Sequence, residues 1–321
     1  MRWLNLISLL SLVASCTQPA SQNWSPPQIP DHLGVYPHDE VMSLAEVELG
    51  KDLFFDPLLS GNRGISCSSC HLPHLAFTDG KPVSVGVGGA LGMRNAPSLY
   101  NLVYKPLYFA EGGVFPLERT INPPLETDIE MDHNMGVLVR DLRKNDYAQR
   151  FQEVYSDSAK PMYVVDALSA YMRTLLSVNT PYDQYLSGKR PFSEAELQGL
   201  EHFKTHGCAQ CHSLPMTTGY HFAWNGYNSS GEDAGRFRLT LKPEDDHAFM
   251  VPSLRNVSVT APYFHDGRVA SLEDALDHYA QMDTLYLENE PVVIQSFSDS
   301  ERQQVLAFLQ TLTEDFSVNK N

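Results

Sequence analysis

The chain has 321 residues and a formal net charge of −16 at pH 7, with 39 Asp and Glu against 23 Lys and Arg. That balance excludes nucleic acid as a partner, because a phosphate backbone would repel it; it leaves an acidic solvated surface or docking to a basic electron-donor protein. Without a leader and a tether, about 280 residues remain, enough for two ordinary domains.

Residues 1–15 read as a signal peptide, with Arg2 followed by an apolar run. The run is too short for a transmembrane helix, which needs about 20 apolar residues. Val13-Ala14-Ser15-Cys16 resembles a bacterial lipobox, in which cleavage leaves Cys16 acylated and the membrane is touched only through the lipid. An ordinary signal with a cysteine beside its cleavage site is the alternative. Either route exports the product and predicts a periplasmic location. Residues 16–39, rich in Pro, Ser, Gln and Asn, predict a lipidated start and a flexible tether.

Helical signals then dominate. Apolar spacing predicts helices over 40–55, 135–142 with Asn134 as cap, and 164–176. Ser193-Glu194-Ala195-Glu196 opens a helix towards His206, Ser271-Leu272-Glu273-Asp274 opens another, and 299–312 closes the chain. Between them stand two pentapeptides, Cys67-Ser68-Ser69-Cys70-His71 and Cys208-Ala209-Gln210-Cys211-His212. Each is the attachment signature of c-type haem: the cysteines form thioethers and the histidine reaches the iron. Zinc would need four converging ligands, whereas these pairs lie far apart in sequence. A thioredoxin-type pair has no use for the trailing histidine and comes with a βαβ pattern that is missing. Each motif follows a helix and precedes a loop-rich stretch. The predicted fold is therefore all-α, with two cytochrome c-like domains at 40–180 and 181–316, each carrying one covalent haem.

Further stretches carry a resemblance. Leu49-Gly50-Lys51-Asp52-Leu53-Phe54-Phe55-Asp56-Pro57, the first haem motif, Phe77-Thr78-Asp79-Gly80, Arg94-Asn95-Ala96-Pro97-Ser98-Leu99 and Glu130-Met131 are similar to the N-terminal half of the bacterial dihaem cytochrome c peroxidase/MauG family. Val251-Pro252-Ser253-Leu254-Arg255-Asn256 and Thr260-Ala261-Pro262-Tyr263-Phe264-His265-Asp266-Gly267 are similar to its C-terminal half.

The resemblance implies a peroxidatic N-terminal haem on His71, an electron-handling C-terminal haem on His212, and Glu130 as acid/base. It also implies a calcium ion held by the Asn95 side chain and the carbonyls of Thr260 and Pro262, all hard oxygen donors. Where many relatives hold a distal histidine, this chain has Val87, so the first haem is expected to be open; His74 belongs to the proximal side. Thr120 stands where a distal glutamine is common, Phe109 is either a pocket wall or a core residue, and Ala110 replaces an inter-haem tryptophan. Tyr108 or Phe109 would then relay electrons, and Trp224 is a surface relay or a packing residue. Tyr279 matches the sixth ligand of the second haem in the MauG branch, with Met282 or His278 as alternatives. The implied function is reduction of hydrogen peroxide with electrons from a cytochrome c or similar donor. A MauG-type oxidase acting on a partner protein and a non-catalytic dihaem electron carrier are the alternatives.

Overall fold

A computed structural model describes residues 22–38, 41–227, 233–282 and 284–316, so the expected leader and Cys16 lie outside the described residues. Helices follow in the order α1 (Leu44–Phe55), α2 (Asn122–Glu126), α3 (Met135–Leu142), α4 (Tyr147–Tyr155), α5 (Pro161–Arg173), α6 (Pro181–Leu186), α7 (Glu194–Thr205), α8 (Cys208–Cys211), α9 (Phe237–Thr240), α10 (Leu272–Ala280) and α11 (Asp299–Gln310). Their starts are set by side chains that accept the first free amides. Ser43 takes the Glu46 N–H, Asn134 those of Gly136 and Val137, and Ser271 that of Asp274. Ser193 and Ser298 close reciprocal boxes with Glu196 and Glu301. α5 starts at Pro161 rather than at Val164, because proline is preorganised for a first helical turn.

Two helix crossings organise the packing: α1 lies against α5, and α7 against α11. Each crossing turns on a glycine. A Cβ at Gly50 would sit 1.8 Å from the Ala167 carbonyl oxygen, and one at Gly199 would sit 1.8 Å from that of Gln304. Only a residue without a side chain lets the backbones approach so closely. Around the first crossing a hydrophobic core gathers Leu49, Leu53, Phe54, Leu138 and Leu168. Around the second, another core gathers Phe203, Val305, Phe308 and Leu312.

The loops repeat as well. Asn101 and Asn256 both adopt left-handed backbone (φ 60° and 64°) and donate their N–H groups to the Leu175 and Leu312 carbonyls, 2.8 Å in both cases. Tyr108 and Tyr263 each donate a hydroxyl to a carbonyl six residues earlier, Leu102 at 3.1 Å and Val257 at 2.9 Å. Tyr108 bridges to Val114 and Tyr263 to Val269, closing the same turn twice. The two halves are built to one plan.

The all-α expectation needs one correction. Strands β1 (Phe222–Trp224), β2 (Phe249–Met250), β3 (Leu285–Leu287) and β4 (Glu290–Val292) form an antiparallel sheet in the order β2-β1-β3-β4. Strands of two or three residues are too short for alternation to show in sequence. The sheet also ties the halves together, since the Met250 N–H donates to the Ala110 carbonyl at 2.7 Å. Arg255 adds to that tie: its guanidinium donates to the Ser177 carbonyl of the first half at 3.1 Å, held by a buried ion pair with Asp183 (2% and 1% exposed, 2.6 Å) that His32 also reaches at 2.8 Å.

Candidate active site

The first motif lies on a tight 3-10 turn. The Ser66 N–H donates to the Ser69 hydroxyl at 3.0 Å, and the Cys70 and His71 amides both return to the Cys67 carbonyl, at 3.2 and 3.0 Å. Cys67 and Cys70 are thereby held one turn apart, half-buried, with His71 just beyond. His71 Nδ1 donates to the Phe77 carbonyl at 2.8 Å, and the Ser98 hydroxyl pins the same loop through the Ala76 carbonyl at 2.6 Å. That anchor fixes the tautomer and leaves the Nε2 lone pair for a metal. Burial pushes the His71 imidazole below its usual range and the Phe77 carbonyl opposes this only in part, so the ring is neutral.

The second motif, on α8, repeats the device. His212 Nδ1 faces the Thr217 and Pro252 carbonyls at 3.2 and 3.1 Å, and burial lowers its pKa to about 4. The Ser253 hydroxyl, like that of Ser98, pins the loop, here through the Met216 carbonyl at 2.6 Å. Burial pushes the Cys67 and Cys208 thiols up to about 12 and the Cys211 thiol to about 11, unlike the thiolates of a zinc site. Among the described residues no cysteine joins a convergent group of three or more possible metal ligands. Paired thiols one turn apart, beside a neutral imidazole with a fixed tautomer, fit covalent haem at both motifs.

Beside the first motif two segments meet. The Val87 N–H donates to the Glu130 carbonyl at 2.7 Å, and a Cβ on Gly86 would lie 2.1 Å from the Ile129 carbonyl oxygen. The Glu130 side chain keeps an exposed face, yet desolvation by the surrounding protein raises its carboxyl above the usual range. Its charge is felt at Cys70, where burial raises the thiol, the Ser84 hydroxyl opposes, and Asp79 and Glu130 add to the rise. Glu126 is occupied elsewhere, accepting the Met135 N–H at 3.3 Å at the start of α3.

Other expected neighbours are less engaged. The Thr120 hydroxyl donates to the Leu117 carbonyl at 2.7 Å, in its own turn. Phe109 is 37% exposed, so it is not a core residue, while Tyr108 is buried. His74 is exposed on the loop that carries the Phe77 carbonyl. Trp224 leans on Tyr286 at 5.8 Å in the small sheet.

Near the second motif, burial raises the Tyr279 phenol well above its usual range; the Cys211 and Cys208 thiols add to the rise and the Asn225 side chain opposes it with a hydrogen bond. Tyr279 therefore shares its surroundings with both cysteines. His278 instead turns Nε2 to the Asn225 carbonyl at 2.7 Å and stacks on Tyr227 at 4.4 Å. Met282 packs its thioether on Gly226, where a Cβ would meet Met282 Cε at 2.2 Å. Asn95 comes to the loop of Thr260 and Pro262 through its N–H, which donates to the His265 carbonyl at 2.8 Å. Its Nδ2 donates to the Lys81 carbonyl at 2.7 Å, which leaves Oδ1 as the donor atom for a cation.

Two desolvated cation-forming groups escaped the sequence reading. Burial lowers the Lys105 amine to about 8. His265, whose side chain is 6% exposed, stacks on Phe249 at 4.1 Å with Nε2 buried, 3.9 Å from the Asp266 carboxylate and without a hydrogen bond. Lys105 gives no sequence signal. His265 stood in a recognised stretch, but its burial depends on a distant strand.

The sequence model described as di-haem cytochrome c peroxidase matches residues 44–191. A cytochrome c551 peroxidase of Nitrosomonas europaea is 34% identical over 275 residues, covering 84% of this chain and 80% of the relative. The chain belongs to the di-haem cytochrome c peroxidase family. It is accordingly an oxidoreductase of the peroxidase class, and the carrier reading is set aside. The family implies two haems, for which this peroxidase-family chain has the two motifs. A methylamine utilization protein MauG of Methylorubrum extorquens is 34% identical over 290 residues, 86% of this chain and 81% of that one. A solved MauG-like protein associated with microbial copper homeostasis superimposes with a TM-score of 0.75 at 31% identity, over 94% of this chain and 95% of that one.

Proposed function

We propose that this chain reduces hydrogen peroxide at the haem attached through Cys67 and Cys70, with His71 as proximal ligand and Glu130 as acid/base. The observation that carries the reading is the Glu130 segment itself: its backbone is gripped by Val87, its carboxyl is raised, and its field reaches Cys70. When bound, the haems would supply the electron pair that peroxide reduction consumes. Glu130 would take a proton from one peroxide oxygen and hand it to the other, so that the O–O bond breaks with release of one water; the second oxygen leaves as water once a donor has supplied two electrons and two protons have been taken up. A carboxyl raised by desolvation is better matched to that exchange near neutral pH. The Val87 side chain offers no ligand and leaves the distal face to peroxide.

On this reading residues 40–180 form the peroxide-reducing domain and 181–316 the electron-transfer domain, where His212 and Tyr279 hold the second haem. A calcium ion on Asn95, Thr260 and Pro262 would brace the contact between the halves. The leader and Cys16 support an exported, lipid-anchored protein facing the periplasm.

A second reading is favoured by Tyr279. A phenolate is a hard anionic donor that lowers the potential of an iron it binds, which suits a MauG-type oxidase acting on a partner protein better than electron uptake from cytochrome c. Steady-state peroxide consumption by the holoprotein, with reduced cytochrome c as the electron source, tests the first reading. Turnover that oxidises cytochrome c with peroxide supports it. Peroxide-dependent spectral change without cytochrome c turnover moves the assignment to the MauG-type reading, and no reaction with peroxide removes both.

A further inference from the structure

Outside the haem motifs, one cluster of metal-binding side chains has no role in the chemistry above. His202 stands on the last turn of α7 and His206, one turn on, caps its C-terminal end; Glu301 lies on the first turn of α11. His202 Nδ1 is 3.8 Å and His206 Nε2 is 3.7 Å from the same Glu301 oxygen, Oε1. All three donor atoms lie within 4.8 Å of one another.

The far side of each residue is already anchored. His202 Nε2 pairs with the Gln304 side-chain oxygen at 3.0 Å, an acceptor, so that nitrogen carries the proton. His206 Nδ1 pairs with the His202 carbonyl at 3.1 Å, so it too carries the proton, and the ring stacks on Phe297 at 4.7 Å. Glu301 Oε2 accepts the Ser298 N–H at 2.8 Å. Each anchor turns the remaining lone pair inward, which is how outer partners orient the ligands of a metal. Two imidazole nitrogens and a carboxylate oxygen facing one point are at ease only with a proton or a metal cation between them.

We propose that His202 Nδ1, His206 Nε2 and Glu301 Oε1 bind one divalent transition-metal ion of the zinc or copper(II) type, separate from the haem irons. Two histidines at i and i+4 on one helix face with a carboxylate match the donors these ions take. Tetrahedral zinc places its ligand atoms about 3.3 Å apart, so side-chain rotation closes the gap. His206 is 9%, His202 19% and Glu301 32% exposed, leaving an entry path and room for a water or exogenous fourth ligand. The site clamps the end of α7 to α11 immediately before Gly207 and the second haem cysteine. The His206 carbonyl already holds the Gln295 N–H there at 3.0 Å.

Zinc titration of the chelator-treated holoprotein by calorimetry, with metal counted against iron, tests the site. The expected result is one zinc per chain, weakened at least about tenfold by His202→Gln and by Glu301→Gln. Glu301→Gln keeps the reciprocal cap with Ser298, because glutamine serves equally at that position, so its loss of zinc reports the ligand and not the helix. If either variant does not fold, EPR of the wild-type protein with one equivalent of copper(II) decides through coupling to two imidazole nitrogens. No zinc uptake, uptake unchanged in both variants, or a copper signal without nitrogen coupling overturns the proposal.

Discussion

The Val87 amide N–H donates to the Glu130 carbonyl across 2.7 Å, joining an aliphatic residue that offers no ligand to a carboxylate whose charge reaches Cys70 and whose pKa desolvation raises. Two chain segments distant in sequence are thereby locked together. The bond uses only backbone atoms at both ends, so either side chain can be replaced without breaking it.

That independence makes Val87→His an informative change. An imidazole at this position is expected to occupy the sixth site of the first haem. EPR of the diferric variant should then show a second low-spin signal in place of a high-spin one. Peroxide turnover without prior reduction should fall at least about tenfold, as expected when an open position is closed.

Glu130→Gln keeps the shape and the backbone bond but removes the acid/base. The rate constant kcat/KM for peroxide is expected to fall about 10²- to 10⁴-fold, with little change in Tm because the side chain keeps an exposed face. The sign with pH follows from the raised carboxyl. The ionised form is lost as pH falls through a pKa above the usual range, so wild-type activity declines early on the acid side and Glu130→Gln flattens that limb. A pH–rate profile of both proteins checks this.

At the two helix crossings, Gly50→Ala and Gly199→Ala each place a Cβ 1.8 Å from a carbonyl oxygen of the facing helix. The helices must separate, at a cost of roughly 1–3 kcal/mol or more. Thermal unfolding followed by circular dichroism should show a clear fall in Tm for both. Gly92→Ala, whose Cβ would lie 3.4 Å from its nearest neighbour, the Ser84 carbonyl, should leave Tm nearly unchanged.

What the sequence makes legible is local. Asn134, Ser193 and Ser298 cap their helices through residues two or three positions on, so the starts of α3, α7 and α11 can be read directly. The haem motifs are legible for the same reason, since two thioethers and an axial ligand require one short spacing. The Gly50 and Gly199 contacts are not, because each depends on a carbonyl more than a hundred residues away. The sheet is hidden by the brevity of its strands, and Ala110 joins it through a carbonyl that any residue would supply. The doubled plan has its own sign in the sequence: Pro97-Ser98-Leu99 with Asn101 recurs as Pro252-Ser253-Leu254 with Asn256.

Within the second half, the buried Asp183–Arg255 pair predicts a pH effect on stability. Burial alone would raise the Asp183 carboxyl, but the Arg255 guanidinium, with help from His32 and Thr180, holds it down at about 2. The folded pKa lies below the unfolded value of about 3.9, so this contribution is full above pH 4 and is lost as pH falls towards 2. Asp183→Asn leaves the Arg255 charge buried and unbalanced, and should cost about 3–5 kcal/mol near neutral pH. Urea unfolding of wild type and variant at pH 7 and at pH 3 checks both statements, with the difference between them smaller at the lower pH.

The central claim is an asymmetry between two similarly built haem sites, the first open above Val87 and the second closed by Tyr279. EPR of the diferric holoprotein before and after one equivalent of hydrogen peroxide, with no prior reduction, tests it most directly. The account predicts one high-spin and one low-spin haem, with the high-spin signal lost on adding peroxide and the low-spin signal altered by Tyr279→Phe. Two low-spin haems that ignore peroxide, or a low-spin signal untouched by Tyr279→Phe, would contradict it.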